Sequence, residues 1–232
     1  MQFDIISLFP GYFKGPFDES ILKRARDRGL LEINLIDIRD FSTKKWKKVD
    51  DRPFGGGPGM ILMAEPVVAA IRSVKKEKSH VVGLSPQGSK LDAKKAKELS
   101  FYEHLILVCG HYEGIDQRAI DLEVDEEISI GDVVLTNGCL AAIVLVDSVV
   151  RFVPGILGHK DAAENDSFQN GFLEAGQYTR PVFFEGIEVP PILRGGNHKA
   201  IKDWNEARSR EKTELVRPDL LKPDFFGSSF KK

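Results

Sequence analysis

The chain has 232 residues, of which 42% are hydrophobic and 29% charged, and its formal net charge at pH 7 is −2. This composition is ordinary for a globular protein, and the charge argues against bulk nucleic-acid binding driven by charge alone. No apolar run approaches the roughly 20 residues of a membrane-spanning helix, and the N-terminus lacks signal-peptide features. We therefore expect a cytoplasmic protein without a membrane partner, whose two cysteines, Cys109 and Cys139, are reduced and buried.

Predicted strands and helices alternate along the first 150 residues. Strands are predicted at residues 3–9, 31–38, 80–84, 105–108 and 126–130, and helices at residues 20–28, 65–75, 92–99, from Asp116, and 140–150. This alternation predicts an α/β fold with a mostly parallel sheet that is covered by helices on both faces.

Glycine-bearing loops are predicted to close three of these strands. They comprise residues 85–88, 110–114 and 131–138, and the last loop leads directly into the helix at 140–150. The carboxyl ends of parallel strands lie at one edge of a sheet, so these loops can converge on one pocket. Because glycine has no Cβ, backbone can approach a ligand closely there. The pattern indicates a bound nucleotide-like ligand.

A fourth loop and a basic segment lie earlier in the chain. Residues 50–60, with the sequence DDRPFGGGPGM, are predicted to be a loop throughout. Just before them, residues 44–48 read KKWKK and place a tryptophan among four lysines. The sequence leaves open whether this segment is simply solvated or contacts phosphate groups.

A second, small helical domain is predicted after the sheet domain of residues 1–158. Residues 159–176 show no periodicity and are predicted to be a linker. Residues 177–232 contain 11 Lys and Arg against 8 Asp and Glu, whereas residues 1–176 contain 22 against 27. The second domain is therefore basic relative to the first, which favours contact with a polyanion.

One long helix dominates this second domain. Asn197 is its predicted N-cap and Pro218 ends it. Its predicted apolar stripe consists of Ile201, Trp204, Ala207 and Leu215. We expect Trp204 to be a core residue rather than a base-stacking platform.

Several common enzyme motifs are missing from the sequence. Loop 50–60 lacks the Lys-Ser/Thr pair of a P-loop, and no G-x-G-x-x-G follows the first strand. Neither G-x-S-x-G nor H-E-x-x-H occurs. The NTPase, dinucleotide-dependent oxidoreductase, serine hydrolase and zinc protease classes thus lose their usual signatures, and no metal site is expected.

Seven segments together resemble the bacterial tRNA (guanine-N1)-methyltransferase family, TrmD. They are DDRPFGGGPGM at 50–60, LSPQG at 84–88, VCGHYEGID at 108–116, SIGD at 129–132, DSVVRFVPG at 147–155, and YTRP at 178–181 with VPP at 189–191. They follow one another in order, and the resemblance extends to about Leu221. The family belongs to the SPOUT class of methyltransferases. The resemblance therefore implies a deep trefoil knot in the sheet domain, a homodimer with active sites at the subunit interface, and S-adenosylmethionine as cofactor.

The resemblance also assigns roles to individual residues. It places the cofactor at Leu84, Ser85, Pro86, Gln87, Gly110, Tyr112, Glu113, Ile130, Gly131, Asp132, Val133, Val134, Leu135 and Gly138. It places the general base at Asp166 and an electrophilic arginine at Arg151. The target guanine would be held by Asp50, Gly55, Gly56, Gly57, Pro58 and Gly59, and the tRNA backbone by Lys199, Lys202, Arg208 and Arg210.

The implied activity is methyl transfer to N1 of guanosine 37, just 3′ of the anticodon, in support of reading-frame maintenance. The expected partner is the anticodon stem-loop of tRNA, and no DNA partner is expected. The residues alone leave alternatives open. Asp166 also fits a helix N-cap, and Arg151 also fits a cation at a helix C-terminus. A SPOUT enzyme with another RNA target and a non-catalytic tRNA-binding module are the other hypotheses.

Two positions depart from the family pattern. His111 stands where the family usually has arginine, and TNGCLA at 136–141 stands where it usually has SGGELP. The second change removes an acid and a proline beside the expected cofactor loop.

Overall fold

The structure, a computed structural model, describes residues 1–158, 163 and 166–221. The chain divides into two compact units, one ending at Lys160 and the other beginning at Asp161. The predicted domain limits at 158 and 176 stay predictions. None of the helices in the described part of the chain combines the length and the apolar character needed to cross a bilayer.

The first unit contains every strand and helix predicted for it. Its strands are β1 (Gln2–Ser7), β2 (Glu32–Asp37), β3 (Asp50–Asp51), β4 (Ile61–Leu62), β5 (Ser79–Lys90), β6 (His104–Cys109) and β7 (Glu126–Ser129). Its helices are α1 (Ser20–Asp27), α2 (Ala64–Val74), α3 (Ala93–Leu99), α4 (Gln117–Glu123) and α5 (Cys139–Val150). Two helix starts have side-chain caps: Asp92 accepts a hydrogen bond from the Lys95 N–H, and Asp116 accepts one from the Arg118 N–H.

Five of these strands form one parallel sheet in the order β2-β1-β6-β5-β7. The register pairs His104 with both Gln2 and Ser79, so three strands begin level with one another. Their carboxyl ends consequently lie at the same edge of the sheet. The predicted α/β class is confirmed, whereas the predicted trefoil knot stays a prediction.

Two apolar cores cover the two faces of the sheet, as predicted. Alternate residues of β6 point to opposite sides, Leu105 and Leu107 into one core and Ile106 and Val108 into the other. The first core includes residues of α1, α3 and α5, and the second includes residues of α2 and α4. Helix α5 is apolar almost all round, which is the pattern of a helix buried on most of its surface.

The segment at residues 85–88 is part of β5 and does not close the strand, so that prediction is wrong. Both Leu84 and Ser89 pair with Ile128, and the residues between them bulge out of the ladder. A Cβ on Gly88 would lie 2.3 Å from the Glu127 carbonyl carbon and 2.4 Å from the Ile128 nitrogen. Glycine at 88 thus lets β5 resume its pairing with β7 after the bulge.

Loop 50–60 is also more ordered than predicted. Asp50 and Asp51 form β3 and pair antiparallel with Leu62 and Ile61 of β4. The backbone pairing was not visible in the sequence because each strand has only two residues.

The second unit contains α6 (His198–Val216) and a hairpin of β8 (Phe183–Phe184) and β9 (Ile187–Glu188). The Asn197 side chain accepts a hydrogen bond of 3.1 Å from the Ala200 N–H, which confirms the predicted N-cap. The helix ends at Val216, before Pro218, as predicted. The hairpin was not predicted.

The predicted apolar stripe of α6 is wrong at Ala207 and Leu215, because both residues are exposed, Leu215 to 84%. The covered face instead carries Thr213, whose hydroxyl oxygen accepts a hydrogen bond of 2.9 Å from the Leu173 N–H. Ser209 donates a hydrogen bond to the Leu173 carbonyl. Because the preceding segment binds α6 through these hydroxyl groups, the side of Leu215 is left in solvent.

Candidate functional site

A cavity of about 300 Å³ opens beside the bulge of β5 and the carboxyl ends of β6 and β7. Three chain segments line it, within residues 83–87, 110–120 and 127–141. Twelve of the fourteen predicted cofactor residues are among the lining residues, and Gly131 and Asp132 are not. The structure therefore brings together most of a residue set that is spread over 55 positions of sequence, counted from Leu84 to Gly138. Their role in binding stays a prediction.

Main-chain contacts hold two of these segments together. The Gly138 N–H donates a hydrogen bond of 2.8 Å to the Gly110 carbonyl, and His111 and Asn137 form an antiparallel bridge. A Cβ on Gly138 would lie 2.9 Å from the Cys109 Cα and 3.0 Å from the Gly110 nitrogen. No larger residue fits at 138 unless the two segments separate.

The glycine-rich loop reaches the cavity at one point. Glu113 donates its N–H to the Met60 carbonyl at 3.0 Å, and a Cβ on Gly59 would lie 2.4 Å from the Glu113 Cγ. By contrast, Gly55, Gly56 and Gly57 have φ of +86°, +82° and +116°, and a Cβ added to any of them would meet no atom of the described residues within 4 Å. Asp50 lies in β3, and Pro58 is exposed in the loop. That these residues hold a guanine stays a prediction.

His111 lines the cavity, although it was not among the predicted site residues. Its ring lies 4.9 Å from that of Phe9 and 4.4 Å from that of Tyr112, measured between centroids. Its Nδ1 atom is buried and has no hydrogen-bond partner within the described part of the chain. Burial and the nearby charge of Arg39 lower the pKa of His111, which favours a neutral imidazole at neutral pH.

Sequence reasoning missed other lining residues as well. They are Gly83, Gly114, Ile115, Gln117, Ile120, Glu127, Ile128, Ser129, Thr136, Asn137 and Ala141. Five of them directly adjoin predicted residues, and the others lie within a few positions on the same three segments. Their proximity to the predicted residues was the available signal.

Two thiols lie beneath the cavity. Cys109 and Cys139 are both free and buried, as predicted. The Cys139 Sγ lies 3.1 Å from the Ser7 hydroxyl oxygen. A hydrogen bond with Cys109, supported by Ser7, lowers the pKa of Cys139 to about 7. The same hydrogen bond, together with burial, raises the pKa of Cys109 well above its usual value.

The two predicted catalytic residues belong to different units. Arg151 is the C-cap residue of α5, so the interpretation as a cation at a helix C-terminus describes its position correctly. Asp166 does not cap a helix, because residues 167–172 form turns. The Asp166 carbonyl accepts a hydrogen bond of 3.4 Å from the Gln169 N–H. The catalytic roles of both residues stay predictions.

The four predicted phosphate-binding residues are exposed on α6. Lys202 pairs with Glu206 at 3.8 Å, and Arg208 pairs with Glu211 at 2.8 Å. The Arg210 guanidinium lies 5.1 Å from the centroid of the Phe172 ring. Exposed pairs of this kind contribute roughly 0–1 kcal/mol, so phosphate groups can replace the acidic partners at little cost.

Comparison with known proteins decides the family. A family model described as tRNA (Guanine-1)-methyltransferase TrmD matches residues 1–223. The chain belongs to this family. The resemblance seen in these sequence segments is thereby confirmed.

Several relatives carry the name tRNA (guanine-N(1)-)-methyltransferase. The protein from Protochlamydia amoebophila is 60% identical over 221 residues, which cover 95% of this chain and 100% of that protein. Those from Chlamydia pneumoniae and Chlamydia muridarum are 61% and 60% identical and cover 95% and 98% of this chain. This chain spans only 61% and 64% of the lengths of these two Chlamydia proteins.

Proposed function

We propose that the chain binds S-adenosylmethionine in the cavity beside the β5 bulge and the ends of β6 and β7, and methylates N1 of guanosine 37 in tRNA. We place this activity in the cytoplasm, in support of reading-frame maintenance. The observation that carries the proposal is the convergence on one cavity of twelve predicted cofactor residues from three separate segments.

The residues present fit this cofactor. Gly110 and Gly138 line the cavity without a side chain, so that a ligand can approach the backbone closely there. Ile130, Val133 and Leu135 line the same cavity with apolar side chains, which can pack against the uncharged adenine ring. The bound cofactor supplies an electrophilic methyl group on a sulfonium.

Asp166 and Arg151 would supply the chemistry at the guanine. N1 of guanine carries a proton near neutral pH and is a poor nucleophile until that proton is removed. A carboxylate within hydrogen-bond distance can take the proton, a contribution of typically 10²–10⁴-fold. Negative charge then develops on O6, and a guanidinium donating hydrogen bonds to O6 lowers the barrier by roughly 3 kcal/mol.

The target guanine must unstack from the adjacent bases to enter such a site. Nucleotides in an RNA loop are accessible because their bases can be splayed out without opening a duplex. We assign contact with the base to loop 50–60 and contact with the backbone to Lys199, Lys202, Arg208 and Arg210. Their exposure on α6 supports this assignment.

A homodimer would explain why apolar residues of α5 are exposed. Leu140 and Val144 of α5 are 45% and 43% exposed although most of the helix is buried. Arg151 follows Val144 by seven residues and lies on the same side of the helix. A second copy that packs on this apolar stripe would bring its own surface next to Arg151, which supports active sites shared between subunits.

The first test measures transfer of labelled methyl from S-adenosylmethionine to tRNA transcripts with guanosine or adenosine at position 37. We expect transfer only to the guanosine transcript. Asp166→Asn should lower kcat at least about 100-fold and leave the Kd for the cofactor unchanged. Asp203→Asn, which alters an exposed carboxylate on α6, is the matched control and should be fully active.

Different outcomes separate the alternatives. Equal labelling of both transcripts would mean that another nucleotide is the target. Tight tRNA binding without any labelling would favour the non-catalytic module. The dimer is tested by mixing inactive Asp166→Ala and Arg151→Ala subunits, since activity returns only if each site uses both chains. If Val144→Glu remains dimeric in sedimentation experiments, the α5 stripe is not the subunit interface.

A further inference from the structure

The basic segment of residues 44–48, here called the lysine–tryptophan turn, has no part in the proposed reaction. It contains a short 3-10 turn, Lys45–Lys47, and the Trp46 side chain is 87% exposed. An indole in this position buries almost no apolar surface, so packing does not explain its presence.

The backbone of the turn keeps the indole in solvent. Trp46 and Lys47 have φ of +63° and +50°, in the left-handed region that bulky residues avoid. Main-chain hydrogen bonds close the turn, from the Lys47 N–H to the Lys44 carbonyl at 3.1 Å and from the Lys48 N–H to the Lys45 carbonyl at 3.4 Å. Exposed ion pairs also join Lys47 to Asp40 at 2.6 Å and Lys48 to Asp51 at 3.3 Å. Unfavourable backbone conformations persist where the surrounding structure enforces them, and they cluster at functional sites.

Two of the four lysines remain available to a ligand. In the described part of the chain, neither Lys44 nor Lys45 forms an ion pair, in contrast to Lys47 and Lys48. The Lys45 ammonium lies 5.4 Å from the centroid of the Trp46 ring. The turn thus presents one aromatic surface beside two unpaired positive charges.

The turn is joined to the candidate site by a short path of fixed structure. Val49 is buried, and its carbonyl accepts a hydrogen bond of 2.8 Å from the Met63 N–H. The chain then enters β3 and the glycine-rich loop, where Gly59 lies against Glu113 of the cavity wall. A contact made at Trp46 is therefore made on the same rigid hairpin that reaches the cavity.

We propose that Trp46 stacks on an unpaired base of the substrate tRNA, while Lys44 and Lys45 contact the adjoining phosphates. Aromatic stacking with flanking cations is how proteins bind single-stranded nucleic acid, and it requires a base with a free face. The ligand is thus a loop nucleotide and not a duplex segment. The inference rests on the proposed function only in taking tRNA as the substrate, and it is independent of the catalytic roles of Asp166 and Arg151.

Intrinsic fluorescence tests the contact directly. The sequence has two tryptophans, so in Trp204→Phe the emission comes from Trp46 alone. We expect quenching by a tRNA transcript and by an anticodon stem-loop RNA, but not by a blunt RNA duplex of the same stem. Quenching by the duplex alone, or a response to phosphatidylglycerol vesicles without a response to tRNA, would overturn the proposal.

Substitutions at Trp46 test its contribution to methylation. Trp46→Leu should raise the KM for tRNA by between about 5-fold and 150-fold, the range expected for one lost base stack. Trp46→Phe, which keeps an aromatic face, should remain within a few-fold of the wild type. The Kd for S-adenosylmethionine and kcat at saturating tRNA should not change in either variant. Equal KM values for Trp46→Leu and wild type would refute stacking.

Two further variants separate this role from folding and from general charge. Trp46→Asn removes the indole but tolerates the left-handed conformation, so we expect an equal or higher Tm together with the raised KM. Lys44→Ser/Lys45→Ser should reduce the salt dependence of tRNA binding by roughly 1–2 in the slope of log K against log salt. Lys76→Ser/Lys78→Ser, on the turn before β5, is the matched control. An equal loss of slope in that control would show a nonspecific charge effect.

Discussion

At Gly88 and Gly138, an added Cβ would lie within 3 Å of backbone atoms, whereas at Gly55, Gly56 and Gly57 it would meet nothing in the described chain within 4 Å. The last three instead have positive φ, which the first two do not. At Gly88 and Gly138, glycine is needed because two chain segments approach each other there. At Gly55, Gly56 and Gly57, in the loop between β3 and β4, it is needed because φ is positive, a conformation that residues with a side chain rarely adopt. Glycine-rich sequence thus has two meanings that only the structure separates.

The largest expected effect is that of Gly88→Ala. The new Cβ would lie 2.3 Å from the Glu127 carbonyl carbon, and backbone at this place cannot move without disturbing the pairing of β5 with β7. We expect a loss of about 3 kcal/mol or more in the free energy of unfolding, measured by urea denaturation.

Gly11→Ala is the control for Gly88→Ala. Gly11 has an ordinary φ and open space around it, so its substitution should change stability by less than about 0.5 kcal/mol. Equal losses in both variants would show that close packing is not what distinguishes Gly88.

Gly138→Ala is expected to have the next largest effect, and mainly on binding. Its Cβ would push Cys109 and Gly110 away from the start of α5, at an expected cost of roughly 1–3 kcal/mol in stability. Because Gly110 and Gly138 both line the cavity, the Kd for S-adenosylmethionine should rise more than about tenfold, the equivalent of 1.4 kcal/mol. Unchanged affinity in calorimetry would contradict the proposed cofactor site.

Gly56→Ala should have a smaller and different effect. Nothing obstructs the new methyl group, and the cost is the left-handed conformation at φ +82°, about 1 kcal/mol. Gly56→Asn should recover part of that loss, since asparagine tolerates this region. Both variants should bind S-adenosylmethionine normally, because Gly56 does not line the cavity. A weakened affinity for S-adenosylmethionine in either variant would show that the open loop glycines, like Gly138, also determine cofactor binding.

The smallest effect on cofactor affinity is expected from His111→Gln. This substitution tests whether side chains, as well as backbone, shape the cavity wall. If backbone packing builds it, cofactor affinity at pH 8 should change by less than about twofold.

Burial and Arg39 lower the pKa of His111 in the folded state, so the unfolded state binds a proton more readily. Wild-type stability should therefore fall as the pH drops below the usual value of 6.5 and level off below the folded-state pKa. Thermal melts from pH 8 to 5 should show a shallower acid limb for the variant.

The sequence predicted well the features that depend on local patterning. Short apolar runs, with alternation at residues 31–38, located the strands of the sheet. The caps at Asp92, Asp116 and Asn197 follow from side chains that accept nearby N–H groups. The family resemblance then selected residues that the structure places around one cavity. Neither kind of reasoning gave the strand order, which depends on pairing between distant segments.

The errors have a common physical origin in contacts between distant segments. Residues 85–88 remain within β5 because Ile128 pairs on both sides of the bulge. Leu215 is exposed because the segment around Leu173 binds α6 by hydrogen bonds to Ser209 and Thr213. The hairpins β3–β4 and β8–β9 have strands of two residues, too short for any periodicity to appear.

The two sulfhydryl groups of the chain, Cys109 and Cys139, are enclosed by the core. A maleimide dye added to the native protein should therefore find no site for attachment. Replacing an exposed residue such as Glu77 by cysteine would create a single labelling position without first removing native cysteines. Single-molecule and energy-transfer measurements of RNA engagement can thus begin from an otherwise unaltered chain.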